Sequence, residues 1–218
     1  MPAKPAFEVQ SLVTDAVLVQ KRRAQIIAAA VDLFSRQGYY KTTIQDVAKK
    51  AGVSAGLIYQ YVRDKEDVLL LSVLDVLESY KQEIPTAIQG LTDPLERFQA
   101  AIYAYCRVVD QRREATVLAY RSTKSLSHER RQLIMACEIE TNALIAQCLR
   151  DCIEAGLFRQ VDVDLVTYHF VSLAHSWALK YWRLSQITNF ERYVREGFDF
   201  LVQGLLTDKG KRKFGKAR

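Results

Sequence analysis

The 218-residue sequence predicts an all-α protein, a small three-helix N-terminal module followed by a larger helical C-terminal domain. Hydrophobic residues make up 49% of the chain and only 9 Gly and 4 Pro interrupt it, which suits long helices around a buried core. Apolar residues recur at helical spacing: Ile44, Val47, Ala48 and Ala51 share one face of a short helix. No run of alternating apolar and polar residues bounded by turn pairs is present, as a sheet would require.

Residues 1–20 form an N-terminal extension. Its apolar positions, Val9, Leu12, Val13, Ala16 and Val17, suit either an ordered packing segment or an arm reaching into a minor groove. Arg22 to Gln37 is the first helix, with Ile26, Ile27, Ala30, Val31 and Phe34 on one face and Gly38 just past its end. Thr43 followed by Asp46 makes a capping-box start for the second, Gly52 permits a sharp turn, and Ser54 caps a third helix expected over Ala55 to Tyr61. Two short helices joined this tightly are a helix-turn-helix, and residues 21–66 are its domain. Asp64 opens a long helix whose apolar surface, Val68 to Leu77, continues to about Ile84, where Pro85 limits or kinks it.

Asp93-Pro94-Leu95-Glu96 then supplies a cap, a proline at the first helical position and an acid at the third. Helices are expected over 94–110, 112–123, 128–155, 162–185 and 189–206, so that residues 67–206 form a second, helical domain, to which the resemblance given below assigns effector binding and dimerisation. Tyr168, Val171, Ala174, Trp177, Ala178, Tyr181 and Trp182 on the fourth of these, and Phe190, Tyr193, Val194, Phe198, Leu201, Val202 and Leu205 on the fifth, leave both apolar on more than one side. A second subunit is the expected cover. Residues 207–218 are a basic tail, expected to be a solvated end.

The second helix of a helix-turn-helix belongs in the DNA major groove. Leu57 and Ile58 anchor it, which leaves Ala55, Gly56, Tyr59, Gln60 and Tyr61 for DNA, with packing on the first helix as the alternative for Tyr61. Gln60 suits an adenine edge, and Tyr59 and Tyr61 offer hydroxyls to backbone oxygens and rings to thymine methyls. Ala55 and Gly56 let the backbone come close. Thr43 and Lys65 sit at helix starts, where phosphates bind; Thr42, Gln45 and Ser54 complete the expected DNA-facing set.

The first helix, Gly38, and the run TTIQDVAKKAGVSAGLIYQYVRDKEDVL together resemble the N-terminal domain of the TetR family of bacterial transcriptional regulators. Val62 departs from that pattern, standing where the family usually carries an aromatic residue; being apolar, it is expected to face the core. The resemblance implies a DNA-binding regulator, more commonly a repressor, that reads a palindromic double-stranded operator as a homodimer joined through its last two helices. It also implies that Tyr59 and Lys65 are phosphate contacts. The segments LAYRSTKSLSHERR and HSWALKYW are similar to TetR members that respond to acyl-coenzyme A thioesters. The expected effector is accordingly small and lipophilic, acyl-CoA being one class, against a wall of Tyr103, Arg107, Tyr120, Arg121, Lys124, His169, Trp177 and Tyr181.

Charge supports the same reading. The formal balance is +6, and residues 1–65 hold 10 Lys and Arg against 5 Asp and Glu, while residues 66–206 hold 15 against 19. A basic end on a helical motif fits a polyanion. Lys4 is the only cation in the first 20 residues and Asp15 breaks their apolar run, so no secretory signal is read, and no stretch of roughly 18 apolar residues could span a membrane. A cytoplasmic protein with reduced thiols is expected. Gly52-Val53-Ser54-Ala55-Gly56 matches G-x-S-x-G, but that hydrolase motif needs a strand before the serine. No enzyme is expected. Cys148 and Cys152 share a helix face, yet no metal-ligand spacing joins them to His128, His169 or His175, so neither metal nor cofactor is expected. The competing reading is a helical interaction protein without specific DNA binding, against which Thr43, Tyr59 and Lys65 are all present.

Overall fold

The computed structural model describes residues 9–215, and among them the only extended pairing is an isolated antiparallel bridge between Phe158 and Leu206. The eleven α-helices among the described residues start where the local chemistry sets them. Helix α1 spans Ala16–Gln37, earlier than its apolar face suggests, because the Asp15 carboxylate accepts from the N–H groups of Val17 and Leu18. Helix α2, Ile44–Ala51, opens on a complete capping box and closes at Gly52, whose φ of 68° is left-handed. Helix α3, Ala55–Ile58, is shorter than expected. Past Ile58 the chain tightens, with the N–H groups of Gln60 and Tyr61 donating to the carbonyls of Leu57 and Ile58.

Helix α4, Lys65–Ile88, begins on an Asp64 carboxylate that accepts from Asp67 N–H at 2.7 Å. It continues through Pro85, which lies on the exposed side of the helix. Helices α5, Pro94–Gln111, α6, Arg113–Ser122, and α7, His128–Glu154, follow. The single helix expected over 162–185 is two: α8, Val163–Leu179, and α9, Tyr181–Ile187, separated at Lys180 (φ −115°, ψ 17°). The break lets Tyr181 stand edge-on to Trp177, 5.5 Å away, beneath the Arg113 guanidinium. After α10, Phe190–Gln203, the described part of the tail is helical and docked, with Lys209, Lys211 and Arg212 exposed as expected of a solvated end. Residues Asp208–Phe214 form α11, capped by Thr207, and Gly210 brings its backbone against the Leu157 carbonyl, where a side chain would collide. No helix among the described residues is long and apolar enough to cross a membrane.

The chain divides into two compact units. The first takes the chain up to Leu77 together with Glu114–Glu138; the second takes Glu78–Arg113 and the chain from Ile139 on. In the first, Ile26, Ala30, Phe34, Val47, Ile58, Val62 and Val68 to Leu70 are buried, Val62 among them as its apolar character requires. The core of the second is built around Phe98, which meets Phe158, Phe170 and Phe198 at centroid distances of 5.6, 5.0 and 5.7 Å. There α8 and α10 approach so closely that a Cβ at Gly197 would stand 2.6 Å from Leu173 Cδ1.

The first unit is also joined by charge. Arg130, at the start of α7 and buried, donates to Asp64 and Asp67 at 2.7 Å and to Glu66 at 2.9 Å. Burial alone would raise the Asp67 carboxyl, but hydrogen bonds from Arg63 and Arg130 outweigh it and hold the group below its ordinary 3.8.

Removing one partner of a buried pair leaves the other charge uncompensated. Arg130→Met should therefore lower the unfolding free energy by about 3–5 kcal/mol in chemical denaturation. Because the folded Asp67 carboxyl takes up its proton less readily than the unfolded one, its stabilisation is complete above about pH 4 and is lost as pH falls through the folded value. Acid lability that is the same in wild type and Arg130→Met would contradict this account.

Candidate nucleic-acid interface

Helices α2 and α3 present one side to solvent because caps and core fix the other. The Thr43 hydroxyl accepts from Asp46 N–H at 3.1 Å and donates to its carboxylate at 2.7 Å, and that carboxylate also accepts from Thr43 N–H at 2.9 Å. These bonds hold Asp46 below the usual carboxylate range and set the N-terminus of α2. The Ser54 hydroxyl accepts from Leu57 N–H at 3.1 Å. Preceded by a helix and a turn, Ser54 is a cap, and the strand that a nucleophile elbow needs is not there.

Thr43, Gln45, Ser54, Gly56, Tyr59 and Gln60 lie exposed on this side, with Ala55 half-buried among them. A Cβ at Gly56 would meet nothing nearer than Ser54 Oγ at 4.0 Å, so internal packing does not demand a glycine there. Two expected DNA-facing residues are elsewhere. Thr42 is fully buried, its hydroxyl donating to the Gly38 carbonyl at 2.9 Å, and Tyr61 is 2% exposed, its side chain in the core. The tight turn after Ile58 rotates Tyr61 inward. Lys65 is half-buried over the Tyr39 ring, and its ammonium donates to the Tyr39 and Thr42 carbonyls at 3.1 Å each. It braces the turn between α1 and α2, a role its sequence position did not signal.

The described part of the N-terminal extension is bonded to the turn after α3. Leu12 N–H donates to the Gln60 carbonyl at 2.8 Å, and Arg23 donates to the Tyr61 carbonyl.

The residues expected to meet an effector fall in both units. Tyr120, Arg121 and Lys124 belong to the first unit and are exposed. In the second, Phe190 links Tyr103 (5.7 Å) to Trp177 (6.0 Å), and Trp177 meets Tyr181, so four rings adjoin in sequence. The indole N–H of Trp177 donates to Asp110 at 2.7 Å, and Arg107 pairs with Glu83 at 2.6 Å. His169 stands apart from the rings, on the exposed stripe of α8 with Leu165, Tyr168 and Ser172. Two open depressions in the second unit, of about 330 and 470 Å³, are lined by none of these eight residues.

A polar contact in that unit had no sequence signal. Burial pushes the His175 imidazole down to about 4, so it is neutral at physiological pH, and Nε2 lies 3.2 Å from the Tyr105 hydroxyl, whose ring stacks on Tyr80 at 4.0 Å. The same physics acts on two thiols: burial pushes Cys106 and Cys152 up to about 12, away from the reactive thiolate form, and Cys152 donates to the Pro94 carbonyl at 3.2 Å.

Comparison with known proteins agrees with the motif. Residues 26–71 match the family described as bacterial regulatory proteins, tetR family, and residues 91–182 match a tetracyclin repressor-like C-terminal domain. The regulator HbdR of Aromatoleum sp. (strain CIB) is 51% identical over 216 residues, 99% of this chain and 94% of its own. The repressor KstR2 of Mycobacterium tuberculosis (strain ATCC 25618 / H37Rv) is 29% identical over 158 residues, 70% of this chain and 77% of its own. The crystal structure of the TetR-family regulator PfmR from Thermus thermophilus superposes with a TM-score of 0.73 at 26% identity, covering 82% of this chain and 97% of that one. With caps, turn and recognition helix in place and a relative matched along almost its whole length, the chain belongs to the TetR family of DNA-binding transcriptional regulators.

Proposed function

We propose that the protein is a repressor that reads a palindromic operator as a homodimer and is controlled by a small lipophilic effector. The observation that carries the DNA-reading part is Gly56: exposed, helical and free of any internal neighbour that would exclude a side chain. A helix gains by replacing such a glycine, whereas a backbone laid close to a groove floor does not tolerate the replacement. Around it, Gln60 suits a base edge, Tyr59 and Gln45 suit phosphate or base contacts, and Ser54 and Thr43 present helix N-termini to phosphates. Lys65 supports this surface chiefly by holding the turn before α2. A cytoplasmic location goes with this role.

Dimerisation is assigned to α8 and α10. Leu165, Tyr168 and Phe200 are 57%, 44% and 80% exposed, an apolar surface that a second copy would cover. Two recognition helices related by a twofold axis would meet half-sites about one DNA turn, roughly 34–36 Å, or a multiple of it apart. For the effector, the ring series Tyr103, Phe190, Trp177 and Tyr181, with Arg107 nearby in sequence, suits a mostly apolar ligand carrying one oriented polar group. An acyl-CoA thioester is the first class to test.

The test is a fluorescence-anisotropy titration against duplex DNA from upstream of the protein's own gene, with a scrambled duplex as competitor. Gly56→Leu should raise or preserve the melting temperature while weakening operator binding at least tenfold, a difference of about 1.4 kcal/mol; unchanged affinity would place α3 away from the groove. Phe200→Glu should leave helicity intact and shift sedimentation from dimer to monomer, and a persistent dimer would move the interface off α10. Adding decanoyl-CoA to the operator complex should change affinity by roughly 5- to 150-fold. No change with any acyl chain length would remove this ligand class.

A further inference from the structure

A helix of four residues leaves its last carbonyls to be satisfied by something outside it. In α3 the carbonyls of Ala55, Leu57 and Ile58 are taken by N–H groups of the turn that follows, Tyr59 to Val62, whereas the carbonyls of Gln60 and Tyr61 in that turn take partners from far away in the sequence. The Gln60 carbonyl accepts from Leu12 N–H at 2.8 Å and from the Ser11 hydroxyl at 3.1 Å. The Tyr61 carbonyl accepts from Nε and Nη2 of Arg23 at 3.1 and 3.0 Å, and the same Nη2 donates to the Val9 carbonyl at 2.7 Å. Arg23 thus ties Val9 to the turn that follows the recognition helix, its planar fork giving the Tyr61 carbonyl two donors. The strap is folded on itself as well: Val13 N–H donates to the Ser11 hydroxyl at 3.1 Å, and the Val9 side chain is buried. Leu12 is 82% exposed, and its backbone N–H makes the attachment. All of these donors precede residue 26, where the match to the N-terminal family domain begins.

We propose that residues 9–13 are a strap that, clamped by Arg23, holds the C-terminal end of α3 in its DNA-reading pose, so that Arg23 and the Leu12 N–H are positioning groups for sequence discrimination. The inference rests on the operator-reading role proposed above. Hydrogen bonds to base edges hold only within a few tenths of an ångström and a limited angle. Attraction between basic side chains and phosphates falls off slowly and tolerates a small pivot. Releasing the strap therefore costs discrimination, not affinity for DNA in general, and the residue most affected is Gln60, whose own carbonyl is the anchor point.

The experiment uses the full-length protein and a library of duplexes with a randomised centre. Wild type selects its preferred sequence, and the affinity ratio of that duplex to a scrambled one is then measured for Leu12→Ala, Leu12→Pro and Arg23→Gln. Proline removes the N–H and alanine keeps it. Leu12→Pro and Arg23→Gln should lose about tenfold in the ratio, the size of one misread base pair, with scrambled-duplex affinity and its salt dependence unchanged, while Leu12→Ala keeps the wild-type ratio. If Arg23→Gln does not fold, Leu12→Pro decides alone. Wild-type ratios in the folded strap variants would overturn the proposal. So would a loss in Leu12→Ala equal to that in Leu12→Pro, which would make the Leu12 side chain a direct DNA contact. A wild type that selects no sequence would overturn the operator reading itself, and the strap's role with it.

Discussion

The charge cluster centred on Arg130 is the constraint on which the DNA-reading unit depends. Asp64, Glu66 and Asp67 stand at the start of α4, immediately after the recognition helix, and Arg130 comes from the start of α7. A guanidinium in that position is buried at a desolvation cost that only several well-placed carboxylates can offset. The geometry supplies them, and Ser127 N–H adds a bond to Glu66 at 3.0 Å. The consequence is organisational: Glu114–Glu138, remote in sequence, is part of the same compact unit as the helix-turn-helix. Any displacement of the α7 start is thereby applied to the residues that follow the DNA-reading helix.

The recognition helix itself has little stability of its own. Four helical residues cannot offset the cost of nucleation, so α3 exists because its ends are held from outside. Ser54 satisfies its first N–H groups, and the strap and Arg23 take the carbonyls beyond its last turn. Ile58 and Tyr61 seat it in the core. The Lys65 ammonium does for the turn before α2 what Arg23 does for the end of α3, joining two backbone carbonyls across more than 20 residues of chain. Two side chains that look like surface cations in the sequence, Arg23 and Lys65, are thus committed to backbone, whereas Lys49 and Lys50 on α2 stay exposed.

In the second unit, aromatic packing has the organising role. Phe98 collects three other phenylalanines, and a separate set of rings about Trp177 occupies the end of α8, where the helix breaks at Lys180. The break redirects Tyr181 toward Trp177 and Arg113, so one long amphipathic pattern becomes two helices with different faces. Leu165, Tyr168 and Phe200, exposed on α8 and α10, fall outside both clusters.

Much of this was determined by the sequence alone, because the deciding interactions are local. Thr43 with Asp46, the left-handed Gly52, the Ser54 cap, the Asp64 cap and Asp93-Pro94 each act within a few residues, and each stands where the sequence puts it. The exposure of Thr43, Gln45, Ser54, Gly56, Tyr59 and Gln60 was legible for the same reason, since caps and apolar spacing say which side of a short helix is turned away from the core. Tertiary structure decided the rest. It turned Thr42 and Tyr61 inward, ended α3 early, broke α8 at Lys180 and docked α11 through Gly210. It also chose the partners of Arg23, Lys65, Arg130 and His175, which lie between 14 and 70 residues away. A charged or polar side chain carries no periodicity that tells whether it will be solvated or buried against a distant carbonyl or carboxylate. That choice is made only when the backbone brings the two together.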